Sequence, residues 1–101
     1  MGKYRVIISS KARQQIGQHV RFLANVNRNS AAELKTRFVN EIKSLETMPG
    51  RYPFFENDYI PAHKYHKLYV NNFFLVLYQI KDDKVYVDYV VDCREDYNWL
   101  L

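Results

Sequence analysis

The run Tyr65-His66-Lys67-Leu68-Tyr69-Val70-Asn71-Asn72-Phe73-Phe74-Leu75-Val76-Leu77-Tyr78-Gln79-Ile80 reads as a β-hairpin. Two segments rich in β-branched and aromatic residues flank an asparagine pair, and asparagine is the non-glycine residue that best tolerates the left-handed backbone a two-residue turn needs. The spacing predicts strands over Lys64–Val70 and Phe73–Lys81, with Asp82-Asp83 as a second tight turn into a third strand over Lys84–Val91. Phe73 to Ile80 is almost continuously apolar, as a central strand covered on both faces would be. In the third strand Val85, Val87, Tyr89 and Val91 alternate with Tyr86, Asp88, Val90 and Asp92. Helices are therefore expected on the valine face, with the opposite face as the working surface.

Upstream of the hairpin the periodicity changes. Arg51 to Ala62 has none, and Pro53 and Pro61 interrupt regular pairing, so a long aromatic loop packed on the domain is expected. Leu34, Phe38, Ile42 and Leu45 recur at helical spacing. Ser30-Ala31-Ala32-Glu33 matches a reciprocal capping box at the start of that helix, and Pro49-Gly50 stops it. Ala12, Ile16, Val20 and Leu23 mark an earlier helix opened by Ser9-Ser10 and ending near Asn25 to Asn27, with Asn27-Arg28-Asn29 as the connection. Tyr4-Arg5-Val6-Ile7-Ile8 is a short first strand, and Arg94 to Leu101 is expected to add a final helical turn. The result is an α+β fold in one domain over 1–101: an N-terminal strand, an α-helical hairpin, and a three-stranded antiparallel meander, with the helices packed on one sheet face.

Composition narrows the partners. The 101 residues carry a net charge of +4, unevenly distributed. From Met1 to Phe55 ten Lys/Arg face three Glu, whereas from Glu56 to Leu101 five Lys/Arg face eight acids, so the N-terminal half is the one that attracts an acidic peptide, a nucleic acid or a nucleoprotein. The single cysteine, Cys93, cannot close an internal disulfide, and the N-terminus lacks a secretory signal, so a cytoplasmic location is expected. No apolar run approaches the roughly 20 residues needed to cross a bilayer, and no membrane partner is expected. His63 and His66 lie three apart, but no cysteine or carboxylate accompanies them at metal-ligand spacing, so neither metal nor cofactor is expected.

The hairpin run resembles the strand pair of the RelE/ParE superfamily of type II toxins, and Val85-Tyr86-Val87-Asp88-Tyr89-Val90-Val91-Asp92-Cys93-Arg94-Glu95-Asp96-Tyr97 resembles its terminal strand and basic tail. The order of elements from Tyr4 onward is similar as well. This resemblance implies growth inhibition, plasmid stabilization, and neutralisation by a cognate antitoxin in a toxin–antitoxin hetero-oligomer. The target it implies is either DNA gyrase, as in the ParE branch, or the ribosome with its mRNA, as in the RelE branch. The long Ser10–Met48 hairpin favours ParE. A metal-independent endoribonuclease of the RelE branch would need a base, an acid and cations for the developing phosphorane charge. His66, Lys67, Arg94 and Tyr97 are the candidates for that set. Leu75 stands where the RelE branch has an arginine, and Glu95 replaces the second basic residue after the last strand. A third reading is a non-toxic module that only binds antitoxin or nucleic acid.

Antitoxins of this superfamily wrap the toxin with an otherwise disordered segment. Here the first helix carries Lys11, Arg13 and Arg21 with no acid between Ser10 and Val26. An acidic amphipathic segment is expected to lie across the helical hairpin, contacting Lys11, Arg13 and Arg21 and whatever of Phe22 and Val26 is left exposed.

Overall fold

The computed structural model describes residues 3–94. Strand β1 (Arg5–Ile8) leads into helix α1 (Ser10–Ala24), helix α2 (Arg28–Lys43), two short 3-10 turns (Ser44–Glu46 and Pro49–Arg51), and strands β2 (His66–Val70), β3 (Phe74–Lys81) and β4 (Lys84–Asp92). The four strands form one sheet in the order β1-β4-β3-β2, with β1 parallel to β4 and the other pairs antiparallel. Asn71 and Asn72 both take positive φ, 53° and 64°, as the two-residue hairpin requires.

Both helices cover one face of this sheet. Ala12 of α1 and Leu34, Phe38 and Ile42 of α2 join Leu68, Val70, Phe74, Val76, Tyr78, Val85, Val87 and Val90 in one cluster, with Ile16, Val20 and Leu23 packed against it. The helical stripes read from the sequence are thus the buried ones. Leu45 stays fully buried after α2 has ended, because the 3-10 turn continues the same inward face. β3 is buried on both faces from Phe74 to Tyr78. On the side away from the helices Leu75, Leu77, Val91 and Tyr65 form a second cluster, covered by Phe55 and Ile60 of the long loop. Part of the expected working surface is therefore roofed over by that loop.

Both ends of α2 and the facing of β4 differ from the sequence reading. α2 starts at Arg28, not Ser30: Asn27 is the N-cap, and its side-chain oxygen accepts from the Ser30 amide at 3.0 Å. Asparagine caps as well as serine does, and choosing the earlier residue adds helical hydrogen bonds that the Ser30–Glu33 box would forgo. α2 ends at Lys43 rather than at Pro49-Gly50, and the chain enters the second 3-10 turn through Met48 in left-handed backbone, φ 48°.

The third difference concerns β4. Tyr78 pairs with Val87 but Leu77 pairs with Tyr89, so Asp88 is an extra residue, a β-bulge. Beyond it the alternation inverts: Val85 and Val87 face the helices as expected, but so does Val90, while Tyr89 and Val91 turn to the opposite cluster. The bulge is held by the Tyr65 hydroxyl and the Gln79 amide nitrogen, which donate to Asp88 Oδ2 at 3.0 and 2.7 Å.

Candidate functional site

α1 is fixed to β4 at its start and along its middle. At its start the Ser9 hydroxyl accepts from the Ala12 amide and donates to the Asp88 carbonyl, each at 2.9 Å. Farther along, β1 has ended, and among the described residues the β4 backbone beyond Val87 has no neighbouring strand on that side. α1 serves it instead. Gln15 Oε1 accepts from the Val90 amide at 2.7 Å, and His19 Nε2 lies 2.9 Å from the Val90 carbonyl, its ring 4.8 Å from that of Phe74. Neither polar contact was legible in the sequence, where Gln15 and His19 are simply residues beside the apolar stripe.

With its inner face so committed, α1 presents the rest to solvent. Lys11, Arg13 and Arg21 are exposed. Phe22 is 74% exposed and Val26 75%, the most exposed large apolar side chains among the described residues. Arg21 folds back along the helix so that its guanidinium lies 3.1 Å from the position a Cβ on Gly17 would take. The five residues expected to meet an antitoxin are thus displayed on one helix and its C-terminal extension.

Beside Phe22 an open groove of about 980 Å³ runs between α1, α2 and the Asn71-Asn72 turn. Leu23 and Leu34 line its apolar part, Phe22 and Phe73 its rim, and Arg37 and Arg94 bring charge to it. Arg94 pairs with Asp92 through two guanidinium hydrogen bonds, Nε to Oδ1 at 2.9 Å and NH2 to Oδ2 at 2.6 Å, and lies 4.8 Å over the Phe73 ring. Those hydrogen bonds hold the Asp92 carboxyl below the ordinary carboxylate range, against the opposing effect of burial.

Of the residues considered for ribonuclease chemistry, the three that are described, His66, Lys67 and Arg94, are not gathered in one place. His66 is only 9% exposed and lies on the helix-facing side, its ring between Phe54 at 4.2 Å and Tyr78 at 5.2 Å, with Nδ1 2.7 Å from the Tyr52 carbonyl. Lys67, the next residue of β2, points to the other face and is half-buried. Arg94 sits past the far end of β3: His66 pairs with Tyr78 and Asp92 with Phe74, four residues or about 13 Å apart along the strand. Tyr97 and the expected helical turn lie outside the described residues. Burial pushes the Tyr65 and Tyr78 hydroxyls above their ordinary range, so neither is a ready proton donor or acceptor near neutral pH. Among the described residues no group of His, Cys, Asp and Glu is arranged to hold a metal ion, and no helix is long and apolar enough to cross a membrane.

No family model and no curated protein matches the chain. Among solved structures, a chain of the chromosomal ParDE TA (toxin–antitoxin) system from P. aeruginosa superposes with a TM-score of 0.74, covering 89% of this chain and 96% of that one at 11% identity. The likeness extends over nearly the whole of both chains. The fold is the ParE-like α+β arrangement that the hairpin and terminal-strand motifs resemble.

Proposed function

We propose that the chain is the toxin of a type II toxin–antitoxin pair, that it arrests growth by inhibiting DNA gyrase, and that an acidic antitoxin segment laid across α1 silences it. The observation that carries the reading is the whole-chain likeness in fold to a chain of the ParDE system. A fold by itself hosts many functions, so the choice of target leans on the site. Metal-independent RNA cleavage needs a base, an acid and cations converging on one phosphate. His66, Lys67 and Arg94 lie on different faces or at different ends of the sheet, which favours a target inhibited by surface contact over one that is cut.

The antitoxin part rests on α1. A segment carrying acids opposite Lys11, Arg13 and Arg21 and apolar residues opposite Phe22 and Val26 would bury the two most exposed apolar side chains of the described fold and neutralise a helix that carries no acid. The toxin would then circulate in the cytoplasm as a hetero-oligomer with that partner. Induction of the chain in a bacterial host tests the reading: growth should stop without loss of intact message. Codon-positioned cuts in ribosome-bound mRNA would replace gyrase with the ribosome as target, and undisturbed growth would leave only a binding module.

A further inference from the structure

The groove beside Phe22 has walls that the fold holds in place. His19 lines it, with Nε2 2.9 Å from the Val90 carbonyl and its ring 4.8 Å from that of Phe74. Phe74 in turn meets the edge of Phe38 at 5.3 Å, so this part of the wall leans on the core. Phe73 lies under the Arg94 guanidinium at 4.8 Å, and Arg94 is tied to Asp92 at 2.6 and 2.9 Å. Side chains fixed in this way lose little freedom when a ligand arrives, which favours binding.

Size and lining put the groove in the class of small-molecule sites. Its volume of about 980 Å³ lies at the upper end of what such sites span, and Phe22, Leu23, Leu34 and Phe73 supply apolar surface. Gln18, Asn71 and Asn72 add a few amide groups. Apolar walls with few polar groups suit a ligand with an apolar body and a single polar head.

Charge selects that head. Arg37, Asp92 and Arg94 are the Asp, Glu, Lys and Arg side chains of the described lining. Asp92 and Arg94 pair with each other. Arg37 has no ion-pair partner among the described residues. Glu33 and Glu41 stand one turn to either side of it along α2, exposed, and neither is paired with it. Glu33 shares with Arg37 a separate depression beside Ala32 and Thr36.

The lining is thus left with one uncompensated positive charge. That suits a monoanion, whereas a nucleic-acid backbone calls for several cations and a phosphate monoester carries nearly two charges. A cationic ligand would be repelled by Arg37. A second copy seating its own Phe22 here would bring its Arg21 along, which disfavours self-association. A carboxylate carries one charge and matches the fork of a guanidinium with two parallel hydrogen bonds.

We infer that the groove binds a small amphipathic monocarboxylate, an aliphatic or aromatic acid whose head pairs with Arg37 and whose body lies against Leu23, Leu34 and Phe73. Growth arrest, gyrase and antitoxin do not enter the inference, which holds for a toxin and for a non-toxic binding module alike.

The test uses the full chain labelled with 15N and 13C and octanoate as probe. Octanoate should shift the Arg37 side-chain Nε signal and the Leu23 and Leu34 methyls along one isotherm, with a Kd of about 1 mM or below. Octanol and octylamine share the chain but not the charge, and should bind at least about tenfold more weakly, the factor a charge-assisted hydrogen bond supplies. Arg37→Gln changes an exposed helix position, so the fold should stand while octanoate affinity falls by a similar factor; Arg37→Lys should recover part of it. Glu95 and Asp96 follow Arg94 in the sequence, outside the described residues, and the double variant Glu95→Gln, Asp96→Asn should bind octanoate as the parent does. Equal affinity for octanol or octylamine, or undiminished affinity in Arg37→Gln, would overturn the inference. So would binding that appears only in the double variant, since the chain's own acids would then hold Arg37, or the absence of any shift at about 10 mM octanoate.

Discussion

The Val90 amide donates to the side chain of Gln15 across the helix–sheet interface at 2.7 Å, at a point where β1 has already run out. A polar side chain of α1 here substitutes for a missing strand. Gln15→Leu keeps the bulk but leaves a covered amide without an acceptor, which typically costs about 1–3 kcal/mol. Urea unfolding should show that loss, and Gln15→Glu, which restores an acceptor oxygen, should recover part of it. Equal stability of Gln15→Leu and the parent would mean that water serves Val90 instead.

Asp92 ties the acid limb of the stability curve to Arg94. Its folded pKa is lowered by the Arg94 hydrogen bonds, so the carboxylate binds protons more tightly in the unfolded chain. The resulting stabilisation is present above the unfolded carboxyl pKa of about 3.9 and is lost as pH falls through the lower folded value. The difference in unfolding free energy between the parent and Arg94→Gln should therefore shrink as pH drops below about 4. A difference that is constant from pH 7 to pH 2 would contradict the assignment.

His66 stacks between Phe54 and Tyr78, and the proposed reading gives it a packing role. His66→Ala would empty a space lined by Phe54 and Tyr78 and should lower stability by about 2–4 kcal/mol, as large-to-small changes in cores do. His66→Phe keeps the ring stack and should keep growth arrest once expression is matched. Were His66 a general base, the same variant would lose about 10²–10⁴ in rate and arrest would vanish.

Charge on α1 should govern antitoxin encounter. Reversing Arg13 and Arg21 to glutamate should slow association with the cognate antitoxin more than it speeds dissociation, since exposed charges at an interface rim act mainly through steering. The effect should fade with added salt, because interactions between exposed charges are screened beyond about 8 Å at physiological ionic strength. Stopped-flow mixing at two salt concentrations measures it. An unchanged on-rate at low salt would make the basic helix a solvated surface only.

The helices, the hairpin and the two-sided burial of β3 were legible because each rests on a strong period or a turn residue with a steric reason. The start of α2 was not, since Asn27 and Ser30 are both competent caps and only the extra turn of helix separates them. The outward face of β4 was misread after Asp88, because one extra residue inverts every side chain beyond it and leaves no mark on composition. Phe22 lies off the apolar stripe of α1 in the sequence and is exposed in the structure. The fate of His66 was not legible: whether a histidine on β2 meets solvent depends on where Tyr52 and Phe54 of an aperiodic loop come to rest.

The central claim is the target. Purified chain added to purified DNA gyrase with relaxed plasmid and ATP should suppress supercoiling in proportion to dose, and an equimolar amount of the cognate antitoxin should restore it. Undiminished supercoiling at saturating chain, in a preparation that arrests growth when induced, would contradict the account.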